Sequence, residues 1–337
     1  MRKMKILVTG GLGFIGSNFV RHIADKDKDK DKAEMEIIVV DALRYGSNEN
    51  NLKDLEYEYK FVRGNICDYE LMCELVKNVD AIVNFAAETH VDRSISNPYA
   101  FVESNVKGTC TVLEAIRRVN QEAKLVHVST DEVYGDIEEG SFKEDDMLKP
   151  SSPYSASKAS ADLFVLAYVR TYGLNAVITR CTNNYGMYQF PEKLIPKTII
   201  RAKQGMKIPV YGTGKNVRDW IYVKDHCEAI NIILEKGNRG EIYNISSGDE
   251  RSNLEVVTEI LDILGKEDLI EFVEDRPGHD IRYSLDSSKV RELGWKCRHK
   301  FEEGLKETIE WYLKNEEWWK PLIDEKILHP TPWKLEW

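Results

Sequence analysis

Residues 5–16 read Lys-Ile-Leu-Val-Thr-Gly-Gly-Leu-Gly-Phe-Ile-Gly, and the fold turns on what this stretch is. Lys5 to Thr9 is a short apolar run, a helical pattern follows from Phe14 to about Ala24, and Glu36 to Val40 is a second apolar run. Strand, turn, helix, strand is the pattern of a parallel unit. The glycines between satisfy two spacings at once: Gly10, Gly13, Gly16 and Gly11, Gly13, Gly16. A glycine triple alone is weak. Between a strand and a helix it is the place where missing side chains let a pyrophosphate approach backbone N–H groups at a helix N-terminus. The blander reading is a tight turn with close helix packing.

Outward from this unit, short apolar runs at Tyr59–Val62, Ala81–Phe85, Lys124–Val128 and Asn175–Thr179 alternate with helical stretches. That alternation predicts an α/β fold, a doubly wound parallel sheet of the Rossmann type with helices on both faces. After residue 180 the rhythm loosens, with Pro191, Pro196, Pro209, Gly212 and Gly214 punctuating shorter elements. A smaller, mixed C-terminal region closing over the sheet edge accounts for this. Asp219 to Leu234 reads as a strand and helix returning to the main body. The division expected is therefore 1–182, with 217–236 returning to it, for a dinucleotide-binding domain, and 183–216 with 237–337 for a substrate-binding region. Asp25 to Lys32 is a strict Asp-Lys alternation with no apolar face, read as a solvated extension between first helix and second strand. The tail from Trp311 carries five of the seven tryptophans, with Pro321, Pro330 and Pro332 among them. Aromatic packing onto the body or a partner explains it better than a ligand platform.

The 337 residues carry a formal charge of -10, which argues against nucleic acid or an anionic membrane as partner and leaves room for a local basic pocket. Six cysteines are scattered without a CxxC pair, so neither a metal site nor a disulfide framework is suggested. Reduced thiols fit a cytoplasm. Met1 to Lys5 has the charge of a signal peptide, but the apolar stretch after it breaks at Gly10-Gly11, and no membrane-spanning run appears. A soluble cytoplasmic protein is expected.

The second strand ends in Asp41, placed to hydrogen-bond ribose hydroxyls. A carboxylate there repels a 2′-phosphate, which favours NAD over NADP, with Arg44 nearby as the countervailing charge. Gly64 to Asp68 lies where backbone and the Asn65 amide would line an adenine, and Asn84 to His90 offers small residues beside the dinucleotide. Tyr154-Ser-Ala-Ser-Lys158 sets a phenol and an ammonium at i and i+4 on one helix face. A Lys so close favours the phenolate and lowers the Tyr pKa toward a value that suits a base. Such a pair alone is a common surface accident. With a dinucleotide cradle and Ser129-Thr130 upstream, it points to redox chemistry on a hydroxyl. Thr130-Asp131-Glu132 then places adjacent acids where a strand runs out, either as a solvated loop or as an acid and a base.

Thr9 to Gly16, Tyr154-x-x-x-Lys158, Arg218-Asp-Trp220 and Asp275-Arg-Pro-Gly-His279 together resemble the extended short-chain dehydrogenase/reductases that act on nucleotide sugars. Thr130-Asp-Glu132 narrows the resemblance to the dTDP-glucose 4,6-dehydratases, over residues 5 to about 315. It implies a lyase that converts dTDP-glucose to dTDP-4-keto-6-deoxyglucose, with tightly bound NAD regenerated each turnover. It implies Glu132 as base, Asp131 as acid, and Thr130 holding the C4 oxygen near Tyr154 and Lys158. Cofactor contacts are implied at Gly10, Gly13, Phe14, Ile15, Gly16, Asp41, Ala42, Leu43, Arg44, Asn65, Ile66, Phe85, Ala86, Ala87, Thr89, Ser104, Tyr154, Lys158 and Asn184. Substrate contacts are implied at Thr89, Thr130, Asn183, Lys193, Leu194, Pro209, Tyr211, Arg218, Asn253, Arg276 and His279, with Arg218 and Arg276 at the diphosphate. A homodimer through the Tyr154 helix and the helix near Tyr99 to Val119 is implied too. The chain departs from the family's pattern at Asn65, where an Asp is usual, at Thr89 and Ser104, which keep a hydroxyl, and at Met187, where a Pro is usual and whose loss would loosen the substrate loop. Three alternatives remain: a 4,6-dehydratase for another NDP-hexose, a nucleotide-sugar epimerase or decarboxylase, and a non-enzymatic NAD sensor, the last two of which would not need the paired acids.

Overall fold

A strand buried on both faces reads as a continuous apolar run, because successive side chains point to opposite sides. Strand β1 (Met4–Thr9) is such a strand: Ile6 and Val8 enter one core and Leu7 the other, all fully buried. Strand β2 (Met35–Asp41) repeats this with Ile37 and Val39 against Ile38 and Val40. The computed structural model describes residues 3–28 and 34–337 and continues the layer through β3 (Tyr59–Arg63), β4 (Ala81–Asn84), β5 (Lys124–Thr130) and β6 (Ala176–Cys181). Shorter strands follow: β7 (Asn183–Tyr185), β8 (Ile208–Tyr211), β9 (Val217–Tyr222), β10 (Ile242–Ile245), β11 (Glu250–Ser252) and β12 (Ile270–Val273). The main sheet has seven parallel strands in the order β10-β6-β5-β4-β1-β2-β3. The chain moves outward from β1 to β3 and then crosses back to β4 beside β1. At such a reversal the loops after neighbouring strands part in opposite directions and leave a crevice at their carboxyl ends.

The helices Phe14–Lys28 and Val223–Lys236 cover one face of the sheet, while Tyr69–Val76, Gly108–Val119 and Pro153–Tyr172 cover the other. Pro153–Tyr172, which carries Tyr154 and Lys158, is fixed at both ends. Ser152 and Ser155 form a reciprocal capping box, Pro153 opens the first turn, and Gly173 closes the helix at φ 72°. A buried polar chain runs across the sheet beneath these helices. Thr9 Oγ1 donates to Asn84 Oδ1 at 2.5 Å, Asn84 Nδ2 lies 3.1 Å from His127 Nδ1, and Arg180 donates to Asp162 at 2.9 Å and to the Tyr134 hydroxyl at 2.7 Å. Asp162 and Arg180 are both buried, so each charge depends on the other, and breaking such a pair from one side costs about 3–5 kcal/mol.

Beyond β6 the chain builds a three-stranded sheet, β11-β9-β7, and a two-stranded one, β12-β8. Their helices enclose an aromatic core that includes Tyr185, Trp220, Tyr222, Phe301, Tyr312, Trp318 and Trp319. The tryptophan-rich tail packs onto the body as its composition suggests, Trp311 lying edge-on to Trp318 with centroids 5.0 Å apart.

Three expectations are corrected. The first helix does not stop near Ala24: it runs to Lys28, and Asp27, read as solvated, is fully buried. Its carboxylate accepts the Glu34 and Met35 N–H groups and the Tyr57 hydroxyl, so specific partners hold it inside where no apolar face does. The rest of the alternation, residues 29–32, lies outside the described residues. Second, the boundary at 237 fails, because β10 is the outer strand of the main sheet beside β6. Third, of the segment read as returning to the main body, the helix Val223–Lys236 does so, but β9 pairs with β7 and β11.

Candidate active site

The first half of the site is a groove where backbone must come close to a ligand. Gly10 has φ +66°, and a Cβ there would lie 2.7 Å from the backbone of Ala86; a Cβ at Gly16 would lie 2.3 Å from the Gly10 carbonyl oxygen. Only glycine fits either position. Gly10, Gly13 and Gly16 line the cleft, whereas a Cβ on Gly11 would meet the Val39 side chain in the core, so the first of the two spacings is the one that faces the groove. Asp41, buried at the end of β2, accepts the Leu12 and Leu43 N–H groups at 3.0 and 2.8 Å. A carboxylate has lone pairs beyond those two, and Asp41 still lines the groove. Burial raises its pKa, against those backbone hydrogen bonds. This cradle, open only to backbone and closed by an acid, fits a dinucleotide with free ribose hydroxyls.

Along the same wall lie Phe14, Ile15, Ala42, Arg44, Asn65, Ile66, Phe85, Ala86, Ala87, Thr89, Ser104 and Asn184. The Leu43 side chain does not line the groove with them. Its backbone has φ 51°, and its side chain packs against the sheet core. The Asn65 amide oxygen accepts the Cys67 N–H at 3.0 Å, which fixes its orientation.

The groove continues without a break to the end of β5 and the start of the Pro153–Tyr172 helix, where Thr130, Asp131, Glu132, Tyr154 and Lys158 line it. Thr130 caps the turn Asp131–Val133. Its hydroxyl accepts the Glu132 N–H at 3.3 Å and donates to Asp131 Oδ1 at 3.0 Å, which ties the two acids to one pivot. Burial, and after it the neighbouring Glu132 charge, raises the Asp131 carboxyl well above its ordinary range; the Thr130 hydrogen bond opposes both. Asp131 Oδ2 is buried without a hydrogen-bond partner. A protonated acid with one unused oxygen is a donor awaiting an acceptor. Burial raises Glu132 as well, with Arg276, Arg218 and Lys193 opposing the rise, and the residue keeps some contact with solvent. Both carboxyls are thus raised, Asp131 the further, an arrangement that would suit Asp131 as an acid and Glu132 as a base.

The expected lowering of Tyr154 by Lys158 does not hold. Burial, then Glu132 and Cys181, raise the phenol well above its ordinary value, and only the Thr130 hydrogen bond works the other way. Lys158 donates instead to the Val128 carbonyl at 2.7 Å and is pushed down to about 8 by its own burial. The protein's own groups therefore keep Tyr154 protonated.

A second lobe opens from Glu132 toward the smaller region. Asn183, Lys193, Leu194, Pro209, Tyr211, Arg218, Asn253, Arg276 and His279 all line it. Arg276 donates to Asp92 at 2.9 Å while its Nε is buried without a partner. Arg218 rests on the Tyr283 ring, centroid 4.2 Å away, and donates to the Asp280 carbonyl at 2.9 Å. His279 bonds Asp275 at 2.6 Å and is lowered to about 4 by burial and then by Arg276. On a chain of net charge -10, four cations gathered at one lobe, Lys193, Lys197, Arg218 and Arg276, make the local anion site that the overall charge left room for. The loop carrying Met187 is tied rather than loose: its carbonyl accepts the Asn18 amide at 3.0 Å.

Sequence reasoning missed Tyr45, Asp92, Glu192, Lys197 and Tyr283, which also line the lobes. His90 ends the Asn84–His90 segment, and running that segment two residues further would have reached Asp92. Asn105 was missed as well. It sits in a π-helical turn, Val102–Lys107, and clamps both backbone groups of Glu88 while donating to Ser157 at 2.9 Å.

A family model described as GDP-mannose 4,6 dehydratase matches residues 7–308. A curated dTDP-glucose 4,6-dehydratase of Streptomyces niveus is 50% identical over 323 residues, which cover 95% of this chain and 96% of that protein. A low-salt glycan biosynthesis protein of Haloferax volcanii is 50% identical over 317 residues, 93% of this chain and 100% of that protein. Among solved structures, a dTDP-glucose 4,6-dehydratase from Streptomyces venezuelae with NAD bound matches with a TM-score of 0.91 at 48% identity, covering 95% of this chain and 100% of that chain.

Proposed function

The chain belongs to the dTDP-glucose 4,6-dehydratases of the extended short-chain dehydrogenase/reductases, and from that premise we infer that it converts dTDP-glucose to dTDP-4-keto-6-deoxyglucose and water. The net change is oxidation at C4, loss of water across C5 and C6, and return of the hydride to C6. NAD, when bound along the glycine cradle, supplies the hydride acceptor and the positive charge of its nicotinamide ring.

The protein's part is four proton movements. Tyr154, bonded to Thr130, takes the C4 hydroxyl proton as the ketone forms. The ketone acidifies the C5 hydrogen, which Glu132 removes. Asp131 gives its proton to the C6 hydroxyl, which leaves as water, and Glu132 returns a proton to C5 as the hydride reaches C6. Tyr154 and Glu132 must be deprotonated and Asp131 protonated at the same pH, and the observation that carries this reading is that Asp131 and Glu132, adjacent in sequence, sit in one cleft, both raised by burial, with the Glu132 charge raising Asp131 further while Arg276, Arg218 and Lys193 oppose the rise at Glu132. Arg218 and Arg276 are the groups we assign to the diphosphate, for which a guanidinium fork is suited, and the unpartnered Arg276 Nε supports this. Incubation with dTDP-, UDP-, GDP- and CDP-glucose, followed by the alkali absorbance of the keto sugar, tests the substrate. The dTDP sugar is expected to react fastest by at least about tenfold, the margin that one pocket contact supplies; equal or faster turnover of another sugar would overturn the base preference.

We further read the protein as a cytoplasmic homodimer. Among the described residues no helix is long and apolar enough to cross a membrane. Large apolar side chains stand exposed on the two helical segments that the resemblance assigns to the interface: Tyr99 at 83%, Val102 at 53%, Leu163 at 58% and Phe164 at 41%. Sedimentation equilibrium is expected to give twice the chain mass, and Leu163→Glu to shift it to one; a wild-type mass of one chain would refute the dimer.

A further inference from the structure

The family match ends at residue 308, yet the chain beyond it packs behind residues that line the active site. Ile327 and Leu328 are buried in the aromatic core of the smaller region, the His329 carbonyl accepts Lys197 Nζ at 2.6 Å, and the Leu328 carbonyl accepts Arg201. From that anchor the turn Pro332–Lys334 packs against the helix Val91–Ser96, and Lys334 pairs with Glu274. Trp333, 8% exposed, sets its ring edge-on to Tyr211, with centroids 4.7 Å apart at 79°. Tyr211 in turn donates to Asp92 at 3.3 Å, and Asp92 holds Arg276 at 2.9 Å. At the chain's end, the Arg93 guanidinium lies 3.5 Å from the Tyr45 ring centroid and 4.7 Å from that of Trp337, whose indole N–H donates to the Pro332 carbonyl at 3.0 Å. Tyr45 donates to Glu192, which lines both lobes.

We propose that Trp333 and Trp337 are positioning residues for nucleotide-sugar binding, holding Tyr211 with Arg276 and Tyr45 with Glu192 from behind. The proposal rests on the nucleotide-sugar reading of the site. Neither tryptophan lines a lobe, so neither acts on the reacting atoms. A ring packed edge-on to Tyr211 restricts its rotation, and the Asp92–Arg276 pair is then set for an anion before one arrives. Preorganisation of this kind appears in binding and leaves the chemical step alone.

Trp333→Ala, Trp333→Phe and Trp337→Ala are compared with the wild type in dTDP-glucose turnover. Calorimetry on the NAD-loaded proteins measures binding of whichever nucleoside diphosphate of dTDP, UDP, GDP and CDP binds the wild type best. In Trp333→Ala, KM and the diphosphate Kd are expected to rise about tenfold, the worth of one aromatic pair and one ordered guanidinium, with kcat within about twofold. Trp333→Phe is expected to return KM close to the wild-type value, and Trp337→Ala to raise KM roughly threefold, as for a partly exposed cation–π contact. Unchanged KM and Kd in a folded Trp333→Ala protein, or a fall in kcat with KM unmoved, would overturn the proposal. Should Trp333→Ala not fold, Trp337→Ala decides by the same split. A wild type inert toward dTDP-glucose refutes the substrate reading alone, and the diphosphate Kd comparison still decides the tail.

Discussion

Glu132→Gln is expected to lower dTDP-glucose turnover by about 10²- to 10⁴-fold, the range for loss of one positioned acid–base group, while NAD binding is retained. The substitution keeps size and shape, and the hydrogen bond that fixes this turn uses the Glu132 backbone N–H, so the cleft should stay as it is. What is lost is the group proposed to take the C5 proton. Oxidation at C4 does not need that group, so the variant should accumulate reduced cofactor when substrate is added, visible in the near ultraviolet. The C5 hydrogen should fail to exchange with solvent deuterium. The pH profile carries the same signature. Glu132 must be ionised to act, and burial has raised its pKa, so wild-type activity should fall on the acid side at a pH above the ordinary glutamate range. Asp131 must be protonated, and its pKa is raised further, so activity should fall again as rising pH removes that proton. The two limbs belong to the pair, since each carboxyl shifts the other, and the acid limb should vanish in Glu132→Gln. Wild-type turnover by this variant would refute the assignment.

The main sheet was legible because its strands are buried on both faces, and runs such as Ile6-Leu7-Val8 and Ile37-Ile38-Val39-Val40 declare that without any tertiary knowledge. The glycine cradle was legible for a related reason: Gly10 is demanded by its own left-handed φ of +66° and Gly16 by the Gly10 carbonyl in the same turn. What escaped depends on distant partners. Ile242–Ile245 is a short run broken by Asn244, and only its pairing with β6 identifies it as a strand. Asp27 looks solvated in any local window, and its burial rests on N–H groups seven and eight residues away and on Tyr57. Leu43 illustrates the opposite failure, where the resemblance implied a place in the groove but the residue has φ 51° and its side chain packs against the core. The substrate lobe was reached by resemblance and not by pattern. Thr89, Lys193, Arg218, Asn253 and Arg276 come from separate elements with no shared period, and only the folded chain brings them to one cavity.

Tyr154→Phe is expected to cost turnover by a similar 10²- to 10⁴-fold, but to stop the reaction one step earlier. Spacing placed Tyr154 and Lys158 on one helix face, and the structure adds what spacing does not reveal, namely that burial keeps the phenol protonated and that the ammonium is committed to Val128. A buried tyrosine in that condition becomes a base only when positive charge is brought against it, so proton removal and C4 oxidation should be coupled to cofactor binding. Removing the hydroxyl leaves the ring's edge-on contact with Phe101 and the Tyr154 N–H bond to Ser94 in place, so the fold, the NAD content and the KM should change little. The distinguishing measurement is the partial reaction. With dTDP-glucose, Glu132→Gln should show reduced cofactor and no keto-deoxy sugar, whereas Tyr154→Phe should show neither. Rapid cofactor reduction by Tyr154→Phe would assign the C4 proton to another group, and Thr130, bonded to both Tyr154 and Asp131, would then be the next hydroxyl to replace.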